Sequence, residues 1–328
     1  MDRADMIEPL HGLRGIATVV ILLHHMAPVD INGPMGLTLF FVLSGFLIGR
    51  LYMRREFDPI QLWRYGSSRF ARIYPLFAVV ILAAALVNTQ FGLQVFELKT
   101  YQIDRHLLLL GSNMTIWTIA VECHFYAMFI LLWWAVSRGW INRVTLVALY
   151  VALAVGPFFF DGRIHPLHYL HIFTLGVVVA DFSRTPSPKA ERLCAWALPM
   201  ACAAYLGLVL TGLDAYQNPV CILVCGAVVY CSVQAQSSLT GRFLSLPLFV
   251  WLGEISYGLY LFHRFVQDVL VTKLGYPVES WPTFVIGSAA TAVIATLVFK
   301  TYEDPMRRLL RAQAQRLELR YLKRAETG

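Results

Sequence analysis

The stretch LHGLRGIATVVILLHHM, residues 10–26, is an apolar run that carries Arg14 near one end and His24 and His25 near the other. A helix needs about 20 mostly apolar residues to cross a bilayer. Ionisable side chains in such a helix are costly, and they are usually kept where they face a polar interior and act there. The stretch therefore predicts a membrane helix with a functional polar face.

The composition of the whole chain agrees with a membrane protein. Its 328 residues are 58% hydrophobic and 14% charged, with a mean hydropathy of +0.60, whereas a soluble domain carries about 25% charged residues. The net charge is +7. Its basic residues cluster in short loops between apolar runs, which favours a lipid bilayer as the partner over nucleic acid.

Apolar runs predict an all-α bundle of about ten transmembrane helices within residues 1–305. The predicted spans lie near 10–28, 36–53, 75–91, 117–137, 144–160, 168–183, 194–213, 218–235, 248–271 and 282–302. With the N-terminus inside, 18 basic residues fall in inside loops and 4 in outside loops. This bias predicts that both termini are cytoplasmic.

Residues 306–328 form a second predicted unit, a basic amphipathic cytoplasmic tail. The simpler interpretation is a surface helix held to anionic lipid headgroups. The alternative is a regulatory or partner-binding helix.

No metal site is predicted. The six cysteines fall in or beside apolar segments and lack CxxC spacing. The segment HPLHYLH places His165, His168 and His171 at three-residue steps, but their direction drifts around a helix and no acidic ligand lies beside them.

Arg14 and His25 are eleven residues apart on the first helix. At 100° per residue their directions differ by only about 20°, and they lie about 16 Å apart along the axis. The two ionisable groups therefore share one face. The simpler alternative is that Arg14 extends to the inner interface and His25 is a hydrogen-bonded core histidine.

Six segments in this order resemble the acyltransferase-3 family of bacterial integral membrane acyltransferases. They are LHGLRGIATVVILLHH (10–25), GLTLFFVLSGFLIGR (36–50), RFARIYPLF (69–77), IWTIAVECHFYAMF (116–129), WLGEISYGLYLFH (251–263) and YEDP (302–305). The chain departs from the family pattern at His11, usually aspartate, and at Cys123 and His124, which replace a second acid and a glutamine.

The resemblance implies a multi-pass enzyme of the bacterial inner membrane. It implies transfer of an acyl group, most often acetyl, from cytoplasmic acyl-CoA to a hydroxyl of a surface polysaccharide, lipopolysaccharide, exopolysaccharide or lipid-linked sugar. Acyl-CoA is then a co-substrate and no cofactor is bound. The oligomeric state is left open.

The resemblance also implicates Arg14 and His25 in catalysis, and the RFAR segment, with Arg69 and Arg72, as a cytoplasmic loop. Transfer to an alcohol needs a base, and histidine suits neutral pH. We assign His25 as general base in a direct transfer, with a covalent acyl-histidine as the alternative. Glu122 is the third catalytic candidate: it orients His25 or Arg14, or it forms a purely structural salt bridge.

The donor-binding candidates are Arg69, Arg72 and Ser44. Guanidinium groups suit the phosphates of CoA, although ordinary positive-inside charge also accounts for the two arginines. Ser44 is a small residue that permits close helix packing, with a contact to the donor or acyl group as the alternative.

Tyr257, Tyr260 and His263 are candidates for binding the acceptor or lining the acyl path, with hydrogen bonding between helices as the alternative. Arg264 and Asp268 are expected to pair along the helix.

One function from another class stays open, namely a transporter or flippase whose buried charges line a substrate or proton path. Acyl-CoA hydrolysis or acyl transfer by the purified protein separates the two hypotheses.

Overall fold

The computed structural model describes residues 7–111, 116–159, 166–185 and 187–327. These residues form fourteen α-helices and contain no strand. The α-helices are α1 (Glu8–Met26), α2 (Pro34–Tyr52), α3 (Pro59–Phe91), α4 (Ile103–Leu107), α5 (Trp117–Ser137), α6 (Arg143–Ala154), α7 (Pro166–Phe182), α8 (Pro188–Val209), α9 (Pro219–Gln234), α10 (Leu239–Leu244), α11 (Pro247–Glu254), α12 (Ser256–Thr272), α13 (Trp281–Val298) and α14 (Asp304–Thr327). Short 3₁₀ turns lie at Val95–Glu97, Thr100–Gln102 and Gly156–Phe158, and a π turn, Phe299–Glu303, joins α13 to α14.

The all-α prediction is confirmed, and a helix occupies each predicted span. By length and hydropathy, five described helical segments can cross a membrane: α2, α3, α5, α8 and a segment running from Trp281 to Arg320. Shorter apolar helices occur in α6, α7 and α9. The number of ten spans and the cytoplasmic position of both termini stay predictions.

The predicted ninth span, 248–271, is not one helix. The chain turns at Ile255, which ends α11 and precedes α12. The turn lets α11 pack against α1 while α12 packs against α13. Where α11 meets α1, a Cβ on Gly253 would lie 2.0 Å from the carbonyl oxygen of His11. Only glycine therefore permits this approach, which hydropathy alone does not reveal.

The segment containing Arg69 and Arg72 is also not a loop, contrary to the resemblance. It lies inside α3, which begins sixteen residues before the predicted span at 75. The Asp58 carboxylate caps the start of α3 by accepting hydrogen bonds from the backbone N–H groups of Ile60 and Gln61, at 2.7 and 2.9 Å. Because residues three apart share a helix face, both arginines point to the same side.

The helices α2 and α7 pack closely at the centre of the protein. A Cβ on Gly45 would lie 2.0 Å from the carbonyl oxygen of Phe173, and one on Gly176 would lie 2.1 Å from that of Val42. Glycine at these two positions lets the backbones meet, as in other membrane helix pairs. The close packing predicted for Ser44 is thus provided by its neighbour Gly45.

The C-terminal helix α14 continues from α13 and packs against α3. The indole N–H of Trp63 donates to the carbonyl oxygen of Ala314, at 3.1 Å. Arg64 donates to both carboxylate oxygens of Glu318, at 3.0 and 2.6 Å. The predicted tail is therefore a helix, but it packs on protein over part of its surface.

Candidate active site

A large cavity of about 1440 Å³ lies between α1, α2, α3 and α14. Two carboxylates, Glu254 and Glu318, belong to its wall. Its arginines are Arg14, Arg50, Arg54, Arg55, Arg64, Arg69, Arg72, Arg184, Arg307 and Arg311. Pockets for small molecules usually measure about 300–1,000 Å³. This cavity has room for a larger ligand, and its charge selects a multiply anionic one.

Arg69 and Arg72 both line the large cavity. Arg69 is only 9% exposed, and its guanidinium donates to the hydroxyl of Ser68 at 3.1 and 3.3 Å and lies 5.8 Å from the ring centroid of Tyr126. Arg72 is half-buried, three residues further along the same face. Two preorganised guanidinium groups on one helix face suit phosphate oxygens.

Arg14 lines the large cavity and also a second, smaller cavity of about 60 Å³. Its guanidinium carbon lies 5.6 Å from the ring centroid of Phe40. Within the described residues, its Nε is buried and has no hydrogen-bond partner. A buried cation without a full set of acceptors costs free energy, so this position favours an acceptor oxygen supplied by a ligand.

The smaller cavity contains Glu122, Ser44, Tyr257 and Tyr260. The Ser44 hydroxyl donates to Glu122 Oε1 at 2.7 Å, and the Tyr126 hydroxyl donates to the same oxygen. Ser44 therefore lies with Glu122 and outside the wall of the arginine-lined cavity. Glu122 shares its cavity with Arg14, while the hydrogen bonds that its carboxylate accepts come from the hydroxyls of Ser44 and Tyr126.

The two tyrosines both line the smaller cavity and hydrogen bond between helices. The Tyr257 hydroxyl donates to the carbonyl oxygen of Ile73 at 2.9 Å, and the hydroxyls of Tyr260 and Thr118 are 2.7 Å apart. Both interpretations of these residues thus have a structural basis.

His25 lies at the far end of α1, and neither cavity includes it. Its ring stacks on that of His263, with centroids 5.2 Å apart, and His263 is fully buried. Arg264 Nη2 lies 3.2 Å from His25 Nδ1, and Gln267 donates to the carbonyl oxygen of His25. The structure therefore gathers His25 with residues of α12 and not with Glu122 or Arg14.

The contact with Arg264 fixes the tautomer of His25 in this state. A guanidinium only donates hydrogen bonds, so Nδ1 of His25 accepts and the neutral ring carries its proton on Nε2. Arg264 and Asp268 interact electrostatically, as expected, but form no ion pair within the described residues: Arg264 binds Gln267 and His25, and Asp268 accepts from the backbone N–H of Gln94 at 2.9 Å.

The histidines of α7 have structural contacts. His171 Nε2 lies 3.0 Å from the carbonyl oxygen of Tyr216, and the His168 ring packs on Tyr169. His165 lies outside the described residues. Across the described part of the chain, no group of three His, Cys, Asp or Glu side chains is arranged to hold a metal.

Sequence reasoning gave no role to Glu303, which is 5% exposed and interacts electrostatically with Arg72, Arg307 and Arg14. Its Oε2 is buried without a hydrogen-bond partner within the described residues. The sequence feature that could have pointed to Glu303 is the YEDP segment, 302–305. A carboxylate at this place offsets part of the arginine charge.

Comparison with known families identifies the class of protein. Residues 7–300 match the family described as Acyltransferase domain. The chain belongs to this family, the acyltransferase-3 family that its motifs resemble, and it is an acyltransferase. The prediction of the family and of an enzyme is confirmed.

Curated relatives include two named acyltransferases and an exopolysaccharide production protein. Acyltransferase MdmB of Streptomyces mycarofaciens is 26% identical over 94% of this chain and 93% of the relative. Exopolysaccharide production protein ExoZ of Rhizobium meliloti (strain 1021) is 26% identical over 86% and 92%. Peptidoglycan O-acetyltransferase OatA of Listeria monocytogenes is 21% identical over 92% of this chain, which spans only 56% of that relative. No solved structure matches the protein.

Proposed function

We propose that this protein is a bacterial inner-membrane O-acyltransferase that moves an acyl group, acetyl by preference, from cytoplasmic acyl-CoA to a hydroxyl of a glycan or lipid-linked sugar. The observation that carries the proposal is the position of Arg14. It lies between an arginine-lined cavity and a smaller cavity lined by hydroxyls and Glu122. The names of ExoZ and OatA support a polysaccharide acceptor.

The donor binds in the large cavity. Coenzyme A carries a diphosphate and a further phosphate, and its phosphates bind Arg69 and Arg72 of the cavity wall. The volume of about 1440 Å³ accommodates the nucleotide, and the acyl-bearing arm extends past Arg14. The smaller cavity measures about 60 Å³. Because a water molecule occupies about 30 Å³, side chains such as Phe40 have to move as the arm enters.

Ring contacts connect the smaller cavity to His25. Tyr260 lines that cavity, its ring centroid lies 5.8 Å from that of His263, and His263 stacks on His25. These side chains fill the space between the smaller cavity and His25, so they have to move for the thioester to reach His25. Glu122 acts as a hydrogen-bond acceptor that positions Ser44 and Tyr126 beside the smaller cavity.

At His25 the acceptor hydroxyl takes the place of Arg264 at Nδ1, because Nδ1 carries the lone pair in the observed tautomer. His25 removes the hydroxyl proton as the oxygen attacks the thioester carbon. The new C–O bond forms, the C–S bond breaks, and the thiolate of CoA takes the proton from His25. Arg264, displaced by no more than a side-chain rotation, is then placed to stabilise the developing oxyanion.

The test is acyl transfer by the purified full-length chain. Acetyl-CoA labelled in the acetyl group is incubated with the protein and an extracted glycan fraction, and both free CoA and acetylated glycan are measured. The proposal expects CoA release that depends on His25. A transporter or flippase gives neither product, and that result overturns the proposal. Mass spectrometry of the surface polysaccharide with and without the chain then identifies the acceptor by a lost acyl mass.

A further inference from the structure

The helix α14 begins at Asp304, beyond the family-matched residues 7–300, yet it forms one wall of the large cavity. Its lining residues are Arg307, Arg311, Ala314, Gln315, Glu318 and Leu319. They recur at steps of three and four, as expected for one face of a helix. One face of this helix is therefore dedicated to the cavity.

Two contacts hold α14 in place on the start of α3. The first is the bidentate ion pair of Arg64 with Glu318, and the second is the hydrogen bond from Trp63 to Ala314. Glu318 is only 9% exposed, and bidentate guanidinium–carboxylate pairs have a defined geometry. The pair both positions the helix and neutralises one of the two carboxylates in the cavity wall.

The two arginines that α14 places in the wall differ in their partners. Asp304 forms ion pairs with Arg307 and with Arg308. Arg311 has no ion pair within the described residues, and its Nε is buried without a hydrogen-bond partner. Arg311 interacts unfavourably with Arg307, the largest of these charge effects, and also with Arg69 and Arg72.

Three guanidinium groups that repel one another around a cavity are stabilised by a shared anion. We propose that Arg311 is a donor-binding residue, the third arginine of a phosphate site whose other members are Arg69 and Arg72, and that α14 supplies it from outside the family-matched region. This inference rests on the proposed function, because it assigns the ligand of that cavity to a CoA thioester.

The experiment measures CoA binding to the purified full-length protein by titration calorimetry, at low and at high salt. Arg311→Gln removes the charge and keeps a polar side chain of similar shape. Arg311→Lys keeps the charge and loses the forked geometry. Arg316→Gln is the matched control, because Arg316 is an exposed arginine of the same helix that does not line the cavity.

We expect Arg311→Gln to raise the dissociation constant for CoA about tenfold, the usual effect of losing a hydrogen bond to a charged group. Its binding should also depend less on salt than that of the unsubstituted protein, since one ionic contact is gone. Arg311→Lys should fall between the two, and Arg316→Gln should bind normally.

Two results overturn the inference while leaving the proposed function intact. One is normal CoA binding by both Arg311 variants, and the other is an equal loss in Arg316→Gln, which would indicate general charge. If the unsubstituted protein binds no CoA at all, the proposed function fails and this inference fails with it.

Discussion

At the scale of single residues, the protein separates Arg14, beside the proposed donor cavity, from His25, the proposed base. Arg14 lies at the junction of two cavities, and His25 lies at the other end of the same helix against α12. The sequence places both side chains on one face of α1. It does not reveal that His25 contacts Arg264 and His263, because both partners are distant in the sequence. Arg264 lies 239 positions from His25.

Replacing His25 tests its role as base. We expect His25→Ala to lower acyl transfer by about 10²–10⁴-fold, the usual contribution of a positioned base, and to leave CoA binding unchanged because His25 lies outside the donor cavity. The measurement is transfer rate together with CoA affinity. His24→Gln is the control, since His24 bonds to the carbonyl oxygen of Ile31 instead. Undiminished transfer by His25→Ala would exclude the base assigned here.

Replacing Glu122 tests how much its hydrogen bonds contribute to the stability of the fold. Glu122→Ala leaves the buried hydroxyl of Tyr126 and the hydroxyl of Ser44 without their acceptor, which costs about 1–3 kcal/mol for each unpaired buried group. Glu122→Gln keeps a carbonyl oxygen at the same place and should cost less. Thermal unfolding in detergent compares the two variants. Equal stability of both would show that these hydrogen bonds contribute little.

At the scale of helices, close approach decides the architecture. The pair α2 and α7 meets through Gly45 and Gly176, and α11 reaches α1 through Gly253. The ninth predicted span is broken where the chain passes from α11, which packs against α1, to α12, which packs against α13 and contacts the end of α1 through His25. Hydropathy predicts that a segment is helical and apolar, whereas the partner of each face depends on contacts distant in sequence.

Sequence prediction succeeds for helix limits, which apolar runs define, and fails for contacts between residues that are distant in the chain. The limits of α1, α2 and α5 follow from apolar runs flanked by polar residues, and the structure agrees to within about two residues, the usual uncertainty of helix ends. The packing of α14 against α3 could not be predicted from the sequence, because the Arg64–Glu318 pair joins positions 254 residues apart. The sequence motif identified Arg69 and Arg72, but it did not predict that they lie within a helix.

A substitution at Gly45 tests the α2–α7 contact. The Cβ of Gly45→Ala would overlap the carbonyl oxygen of Phe173, so we expect a loss of about 1–3 kcal/mol, as for other overpacked cores. Gly207→Ala, in α8 with open space around it, should instead be neutral or stabilising, by up to about 1 kcal/mol. Thermal unfolding of both variants is the measurement, and a stable Gly45→Ala protein would contradict the close packing.

At the scale of the whole molecule, charge distribution predicts the orientation of the protein in the membrane. The arginine-lined cavity, the basic loops and α14 lie on the side that the positive-inside rule assigns to the cytoplasm. This orientation agrees with a donor that is made inside the cell and with an acceptor that is outside it. It requires the acyl group to cross most of the bilayer within the protein.

Fusions to the C-terminus test that orientation. We expect a fluorescent protein fused after Gly328 to fluoresce in bacteria and a fused alkaline phosphatase to be inactive, because the former works in the cytoplasm and the latter outside it. A phosphatase fused in the segment around Lys99, predicted to be outside, should be active. The reverse pattern would place the arginine-lined cavity on the wrong side for cytoplasmic acyl-CoA.

The position of Arg14 has one more consequence, for the integrity of the membrane. A fixed positive charge opposes the entry of protons and metal ions into a pore, and Arg14 is such a charge where the two cavities meet. On the proposed function, we expect this charge to oppose cation leakage through the idle enzyme until an anionic donor binds.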